Sequence, residues 1–240
     1  MNSVPQKPLP ILDHMPTLVT DDVMTSLDTF SKMNLRLVSK GWQEYVDGFK
    51  TEFDDVLFLL GFGDRTNEIE VSVQSERNKN SDLKVIFSST RNGYQMKISG
   101  TQWKKEVNND DYLLGAATFF TGIVGKQLFT ANRLSIKLDD RCYRVNGVPR
   151  HFMDIVEEQF LNLGHKIHVE EFYGYGLSYE SARFLKYLKP GSLETIRIDT
   201  LSEVDPPQAI IHDIIEMDQW KQSKLAKING KNEKQLTESL

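Results

Sequence analysis

Up to about residue 50, hydrophobic residues recur at helical spacings. They recur at spacings of three and four in the first segment and with gaps of two to four, which no strand pattern fits, in the second, so two amphipathic helices are predicted. The first helix carries Leu18, Val19, Val23, Met24 and Leu27. The second carries Met33, Leu35, Val38, Trp42, Tyr45 and Val46. We therefore predict a helical domain over residues 1–50.

The hydrophobic period changes to two in the next segment, residues 51–108. Apolar and polar residues alternate across Ile69–Val73, and the runs Leu83–Phe87 and Tyr94–Ile98 flank Asn92-Gly93. An Asn-Gly pair between two alternating runs is a strong hairpin signal because both residues tolerate positive φ. We predict a small antiparallel β meander for this segment.

From residue 109 to residue 230, short strands alternate with helices. Strands are predicted around Ile136, Val169, Ile196 and Ala226, which lie 33, 27 and 30 positions apart. Right-handed crossovers stack such units into a parallel sheet with helices behind it. The expected architecture is thus α+β, with irregular leucine-rich-repeat-like strand–helix repeats after the meander. Residues 231–240 are predicted to form a flexible tail.

Composition and charge indicate which cellular compartment and which classes of partner to expect. The chain has 240 residues and a net charge of −5, which disfavours nucleic acid as the main partner. Cys142 is the single cysteine, so no internal disulfide is expected and a reducing compartment fits. The longest uncharged apolar stretch, residues 112–125, is shorter than the ~20 residues of a membrane span and predicts a core helix. We expect an intracellular protein, cytoplasmic or nuclear, with no membrane partner.

The sequence contains no complete catalytic or cofactor motif. His165 and His168 are three positions apart, so on a strand they point to opposite faces and ligate a metal together poorly. Gly174-Tyr175-Gly176 follows a predicted strand but lacks the third glycine of a dinucleotide fingerprint. We expect no enzyme activity, no catalytic residue, no cofactor and no metal. A hydrolase assembled in space stays open, and it requires a deep pocket with perturbed titratable groups.

Two fixed spacings near the N-terminus are informative. Twelve positions separate Pro16 from Asp28, and fourteen separate Asp28 from Trp42. The segment Leu35–Trp42 reads Leu-Arg-Leu-Val-Ser-Lys-Gly-Trp. Residues 9–47 thereby resemble an F-box, in which Leu-Pro, an apolar helix and Leu-Asp precede a helix ending in Val-Cys/Ser-Lys/Arg-x-Trp.

The rest of the chain is similar to the nematode F-box A family, which carries a C-terminal FTH domain. The matching stretches are Tyr187–Ile198, which contains Leu-Lys-Pro-Gly-Ser-Leu-Glu-Thr-Ile, and the later Gln219–Lys224, which contains Gln-Trp-Lys. The resemblance implies a substrate-receptor subunit of a Skp–cullin–F-box ubiquitin ligase. Its implied partners are a Skp-family adaptor, a cullin reached through that adaptor, and an unknown protein target.

The helical segment provides the candidate adaptor-binding residues. A helical pair of about 40 residues does not bury its apolar stripe alone, so its side chains either pack on the rest of the chain or contact another protein. The alternatives are a helical cap on the repeat and an interaction regulator that acts without ubiquitination. The candidate adaptor-binding residues are Met15, Pro16, Val19, Val23, Leu27, Leu35, Val38 and Trp42.

The candidate target-binding residues follow from strand alternation. If the four strand centres face the core, their polar neighbours project from the open side of the sheet. These candidates are Lys137, His168, Glu170, Arg197 and Lys227. Parallel repeat sheets often bind partners through such a surface. The alternative is that these side chains are ordinary solvated strand residues.

Overall fold

The computed structural model divides the chain into two compact units, Met1–Phe49 and Lys50–Leu240. The residues it describes are 17–27, 31–32, 35, 40–48, 51–61, 67–74, 82–126, 128–138, 148–161, 163–176, 178–200, 208–229 and 236–238.

The first unit is helical in its described residues. Helix α1 spans Thr17–Ser26 and helix α2 spans Lys40–Asp47. A small core joins them, in which Met24 of α1 packs with Trp42 and Val46 of α2. Asp28 and Val38, which the sequence places in this region, lie outside the described residues. The helical character predicted for this segment is therefore observed in both described helices.

The second unit is built on a ten-stranded sheet in the order β10-β9-β8-β7-β6-β1-β2-β3-β4-β5. The strands are β1 Thr51–Leu60, β2 Glu68–Gln74, β3 Leu83–Thr90, β4 Gly93–Ile98, β5 Lys104–Asn108, β6 Phe129–Leu138, β7 His168–Gly176, β8 Thr195–Thr200, β9 Leu225–Asn229 and β10 Leu236–Glu238. Strands β1 through β5 pair antiparallel in sequence order. Strand β1 also pairs in parallel with β6, and β6 through β9 continue in parallel.

The prediction of a small meander is therefore wrong, although the hairpin at Asn92-Gly93 is confirmed. The antiparallel strands are one half of a large mixed sheet, because β1 joins them to the parallel half. The end of β1 reads Val-Leu-Phe-Leu-Leu, a continuous apolar run and not an alternation. Val56, Phe58 and Leu60 of this run are buried and Leu57 and Leu59 are half-buried, so apolar residues occupy both faces of the strand and period-two reasoning does not detect it.

Helices pack on one face of this sheet around a cluster of aromatic rings. They are α3 Tyr112–Val124, α4 Val148–Phe160, α5 Ser178–Ala182 with a 3₁₀ turn at Arg183–Tyr187, α6 Gln208–Ile215 and α7 Asp218–Lys221. Phe58 of β1 stacks on Phe152 of α4 at 4.2 Å and meets Phe120 of α3 edge-on at 5.4 Å. Phe184 of the 3₁₀ turn lies 5.2 Å from the ring of Phe160. This apolar layer fixes which face of the sheet is left for polar residues.

The predicted alternation of strands and helices is confirmed in this part of the chain, and all four predicted strand centres are buried. The more specific leucine-rich-repeat-like assignment stays a prediction. The core helix expected over residues 112–125 is also present, and the side chain of Asp111 caps it by accepting the backbone N–H of Leu113 at 3.0 Å. Within the segment predicted as a tail, Leu236–Glu238 forms β10 and pairs antiparallel with β9.

Candidate functional site

The sheet face opposite the helices, here called the polar face, carries two adjacent rows of side chains across β6 to β9. Residues that pair across neighbouring strands point to the same face, so the register defines each row. The first row is Ser135, Tyr173, Arg197 and Lys227. The second row is Lys137, Tyr175, Asp199 and Asn229. Both rows alternate with buried positions on the helix side of the same strands.

Four members of these rows form a hydrogen-bonded group, which we call the Arg197 cluster: Tyr173, Arg197, Asp199 and Asn229. The Tyr173 hydroxyl donates to a carboxylate oxygen of Asp199. Arg197 Nε lies 3.0 Å from Asp199 Oδ2, and Asn229 Nδ2 donates to Asp199 Oδ1 at 2.6 Å. The Arg197 guanidinium carbon is 5.2 Å from the centroid of the Tyr173 ring, a cation–π distance. The cluster thus ties three strands together through one carboxylate.

The hydrogen bonds of the Arg197 cluster change the acidity of two of its members. Burial alone would raise the pKa of Asp199, but donation from Tyr173, Arg197 and Asn229 outweighs burial and holds this pKa below its ordinary value. Burial and the hydrogen bond to Asp199 together raise the pKa of Tyr173 to about 12. At neutral pH the cluster therefore holds a carboxylate, a neutral phenol and a guanidinium.

The raised pKa of Tyr173 gives a pH-dependent prediction. Its folded-state pKa lies above the ordinary value of 10.0, so its hydrogen bond stabilises the fold fully below pH 10 and is lost towards pH 12. In an absorbance titration of tyrosinate, Tyr173→Phe should remove one phenol that ionises near the upper end of this range. Asp199→Asn should move that ionisation towards pH 10, whereas Asp218→Asn, at an exposed carboxylate, should leave it in place. An unchanged titration in Tyr173→Phe would contradict the assignment.

Three of the five predicted target-binding residues come together on this face. Arg197 and Lys227 are direct neighbours in the first row, and Lys137 lies in the second row two strands from Arg197. His168 pairs instead with Thr130 at the start of β6, five positions before Tyr173 and so about 16 Å away along the strand. The five residues therefore do not form a single surface.

Glu170 is exposed where the strand departs from strict alternation. Val169 and Phe172 are both buried although they lie three positions apart, so the two residues between them turn outward together. The same buried–polar–polar–buried order recurs at the start of all five parallel strands, in Phe53–Val56, Ala131–Leu134, Val169–Phe172, Leu193–Ile196 and, with Leu225 as the second outward residue, Ser223–Ala226. In each of these strands another buried residue follows two positions later. This shared six-residue pattern of buried and outward positions is the sequence signal for the rows.

A second polar group lies at these outward turns. Arg133 Nε donates to Glu171 Oε2 at 2.8 Å, and Arg133 Nη1 is 3.5 Å from Asp55 Oδ1. Next to it, Asn132 Nδ2 donates to Asp54 Oδ1 at 3.1 Å. With Glu170 and Glu194 also exposed here, carboxylates outnumber cations at this end of the strands. The polar face is therefore acidic near the strand starts and basic near the strand ends.

The predicted adaptor-binding residues fall into three groups. Val19 and Val23, one helical turn apart on α1, are 43% and 37% exposed, and the neighbouring Leu18 is 79% exposed. Leu27 and Leu35 are half-buried against the Met24–Trp42–Val46 core, and Trp42 itself is only 8% exposed. Met15, Pro16 and Val38 lie outside the described residues. The structure therefore places Trp42 inside the helical unit and leaves the two valines on its surface.

The periodicity of α1 did not predict which of its faces is buried. Thr20 is buried one turn before Met24, and Asp21 accepts a hydrogen bond from the Tyr45 hydroxyl of α2. That bond, followed by burial, raises the pKa of Tyr45 to about 12. Four apolar residues spread around this short helix, so Met24 packs inward while Leu18, Val19 and Val23 stay outside.

Among the residues that the structure describes, no group of three or more His, Cys, Asp or Glu side chains could hold a metal ion. His165 and His168, the nearest sequence candidates, belong to no such group. Over the same residues, no helix has the length and apolar character needed to cross a membrane.

Comparison with known proteins links part of the chain to a family. A family model described as the FTH domain matches residues 150–240. This segment contains β7, β8 and β9, and with them every member of the Arg197 cluster. It does not include the helical unit. Neither the curated proteins nor the solved structures gave a match.

Proposed function

We propose that this protein is the substrate-receptor subunit of a Skp–cullin–F-box ubiquitin ligase. In this proposal the helical unit, residues 1–50, binds a Skp-family adaptor and through it a cullin. The polar face of the sheet binds the protein target that is to be ubiquitinated. The FTH match over residues 150–240 supports a protein-interaction role for the C-terminal part, because this domain accompanies an F-box in the family that the sequence resembles.

The observation that carries the proposal is the surface of α1. Leu18, Val19 and Val23 are exposed, while Met24 on the same helix is fully buried against Trp42. Isolated exposed apolar residues are common, but two β-branched residues one turn apart beside an exposed leucine form a contiguous apolar surface on a ten-residue helix. Such an apolar helix surface fits a hydrophobic groove on a partner protein.

The proposal predicts that Val19→Asp together with Val23→Asp abolishes co-purification with a Skp-family adaptor. Two carboxylates at the centre of an apolar interface are desolvated without partners, which we expect to weaken binding by about a hundredfold or more. The measurement is co-purification of the adaptor from cells, with binding to purified adaptor by calorimetry. Because both valines are exposed, the helical unit should keep its circular dichroism spectrum and melting temperature.

Leu161→Asp is the matched control, since it places a carboxylate on a leucine that is 75% exposed in the second unit. It should leave adaptor binding intact. Trp42→Ala is a poor test because Trp42 lies in the core and its loss would unfold the unit. Undiminished adaptor binding by the double aspartate variant would contradict the assignment. Adaptor without cullin in the purified complex would favour the regulator that acts without ubiquitination.

A further inference from the structure

Three cations lie on the polar face within three interstrand spacings, and we call them the cationic patch: Lys137, Arg197 and Lys227. Arg197 and Lys227 are direct register partners on β8 and β9. Lys137 on β6 lies in the adjacent row, in which Tyr175 separates it from Asp199. Within the described part of the chain, no ion pair involves Lys137 or Lys227, and the carboxylate nearest the patch in the register is Asp199.

Arg197 is held in a fixed orientation. Its Nε is bound to Asp199 and its guanidinium is stacked over Tyr173, yet the side chain is 51% exposed. Among the described residues, neither terminal nitrogen of Arg197 forms a hydrogen bond. A guanidinium with its two terminal amino groups free and its plane fixed is pre-organised to bind a carboxylate through paired hydrogen bonds. Asp199, in contrast, is occupied by three donors from within the cluster.

The charge around the patch selects the kind of anion. The chain as a whole carries −5, so three cations beside one internally bonded carboxylate form a local positive surface. Towards the strand starts this surface gives way to Asp55, Glu171 and Glu170. A long polyanion such as a nucleic acid would meet those carboxylates, whereas a short acidic segment would not.

The width of the cationic patch sets the length of the peptide that it can bind. From β6 to β9 the patch covers three interstrand spacings, about 14 Å, which an extended peptide spans with about four residues. The rings of Tyr173 and Tyr175, between the cations, provide amphipathic contact area for the backbone and side chains of such a segment.

We infer that the cationic patch binds an acidic peptide segment of about four residues, with a carboxylate paired to the terminal nitrogens of Arg197. Carboxylates on either side contact Lys137 and Lys227. The inference rests on the proposed function in taking this segment to belong to the target protein, and it identifies the target class as one that displays a short, exposed acidic motif. The acidic strand starts beside the patch then disfavour targets whose acidic tract continues in that direction.

The test uses the full-length chain and fluorescein-labelled peptides with the core Asp-Glu-Asp-Glu or its neutral counterpart Asn-Gln-Asn-Gln. Fluorescence anisotropy at low salt should show binding of the acidic peptide at least about tenfold tighter than of the neutral one. Lys137→Glu with Lys227→Glu should weaken acidic-peptide binding by about tenfold or more. Arg197→Gln should weaken it by a similar factor, and a rise in salt should weaken it further.

Lys105→Glu with Lys189→Glu is the matched control, because it makes the same change in net charge at two exposed lysines outside the patch. It should leave peptide binding within about twofold of wild type. Equal affinity for the two peptides, an equal loss in the control, or equally tight binding of a fluorescein-labelled oligothymidylate would overturn the inference. Adaptor co-purification is measured on the same patch variants and should be unchanged. If the wild-type protein binds the acidic peptide but does not co-purify with the adaptor, the proposed function is overturned and the inference about the patch is supported.

Discussion

Replacing Gly176 by alanine should destabilise the second unit by about 3 kcal/mol or more. Gly176 ends β7 with φ at +103°, a conformation that residues with a Cβ rarely adopt. A Cβ built there would also lie 1.6 Å from the carbonyl oxygen of Leu138, its register partner on β6. Neither the backbone of β7 nor that of β6 can move without breaking the pairing between them. The free energy of unfolding in urea is the measurement.

The matched control is Gly164→Ala, a glycine at which an added Cβ meets nothing within 4 Å. It should change the free energy of unfolding by no more than about 0.5 kcal/mol. If Gly176→Ala were as stable as Gly164→Ala, the close pairing at the end of β6 and β7 would be wrong. The Arg197 cluster begins three positions before Gly176 on the same strand, so acidic-peptide binding should fall together with stability in Gly176→Ala.

Local sequence patterns were sufficient to predict most individual elements of this fold. The hairpin at Asn92-Gly93, the core helix over Tyr112–Val124 and four of the five parallel strands all follow from local apolar patterns and turn chemistry. What they did not reveal is that the two halves share a sheet. That depends on Phe58 of β1 pairing with Ile136 of β6, a contact between residues far apart in the chain that no local pattern encodes.

In the candidate site too, local patterns predicted some residues and missed those that depend on strand pairing. Alternation around the strand centres located Lys137, Arg197 and Lys227 on one face, because each lies next to a buried residue. It missed Tyr173 and Asp199, which bond to each other although 26 positions separate them. Their contact requires the register of β7 against β8, which pairs residues far apart in the chain and is not encoded by the pattern within either strand.

A second large effect is expected on the helix side of the sheet, where Arg183 joins three carboxylates. Arg183 Nη1 lies 2.7 Å from Glu180, whose side chain is only 3% exposed, and Nη2 contacts Glu157 at 2.7 Å and Asp154 at 2.6 Å. These bonds raise the pKa of Arg183, so it is charged at every accessible pH. Lys186 also reaches Glu157 at 2.8 Å. Arg183 thereby compensates a nearly buried carboxylate and ties the 3₁₀ turn to α4.

Arg183→Met should therefore cost about 2–4 kcal/mol, since it keeps the packing of the side-chain stem but leaves the buried Glu180 without its cation. Arg150→Met, which removes an exposed arginine from α4, should have little effect. Adding Glu180→Gln to Arg183→Met should recover part of the loss, because the uncompensated charge is gone. Urea unfolding of the wild type, Arg183→Met, Glu180→Gln and the double variant gives the coupling energy, and additive losses would contradict the proposed pairing.

The pH dependence of unfolding provides an independent check of the Arg183 interaction. Burial alone would raise the pKa of Glu157, but hydrogen bonds from Arg183 and Lys186 outweigh it and hold this pKa below 4.5. The ionised Glu157 therefore stabilises the fold above its ordinary pKa, and that contribution is lost as the pH falls through the lower folded value. In Arg183→Met the largest of those donors is missing, so the acid-side loss of stability should be smaller than in wild type. An unchanged slope of unfolding free energy against pH would mean that Arg183 acts only through packing.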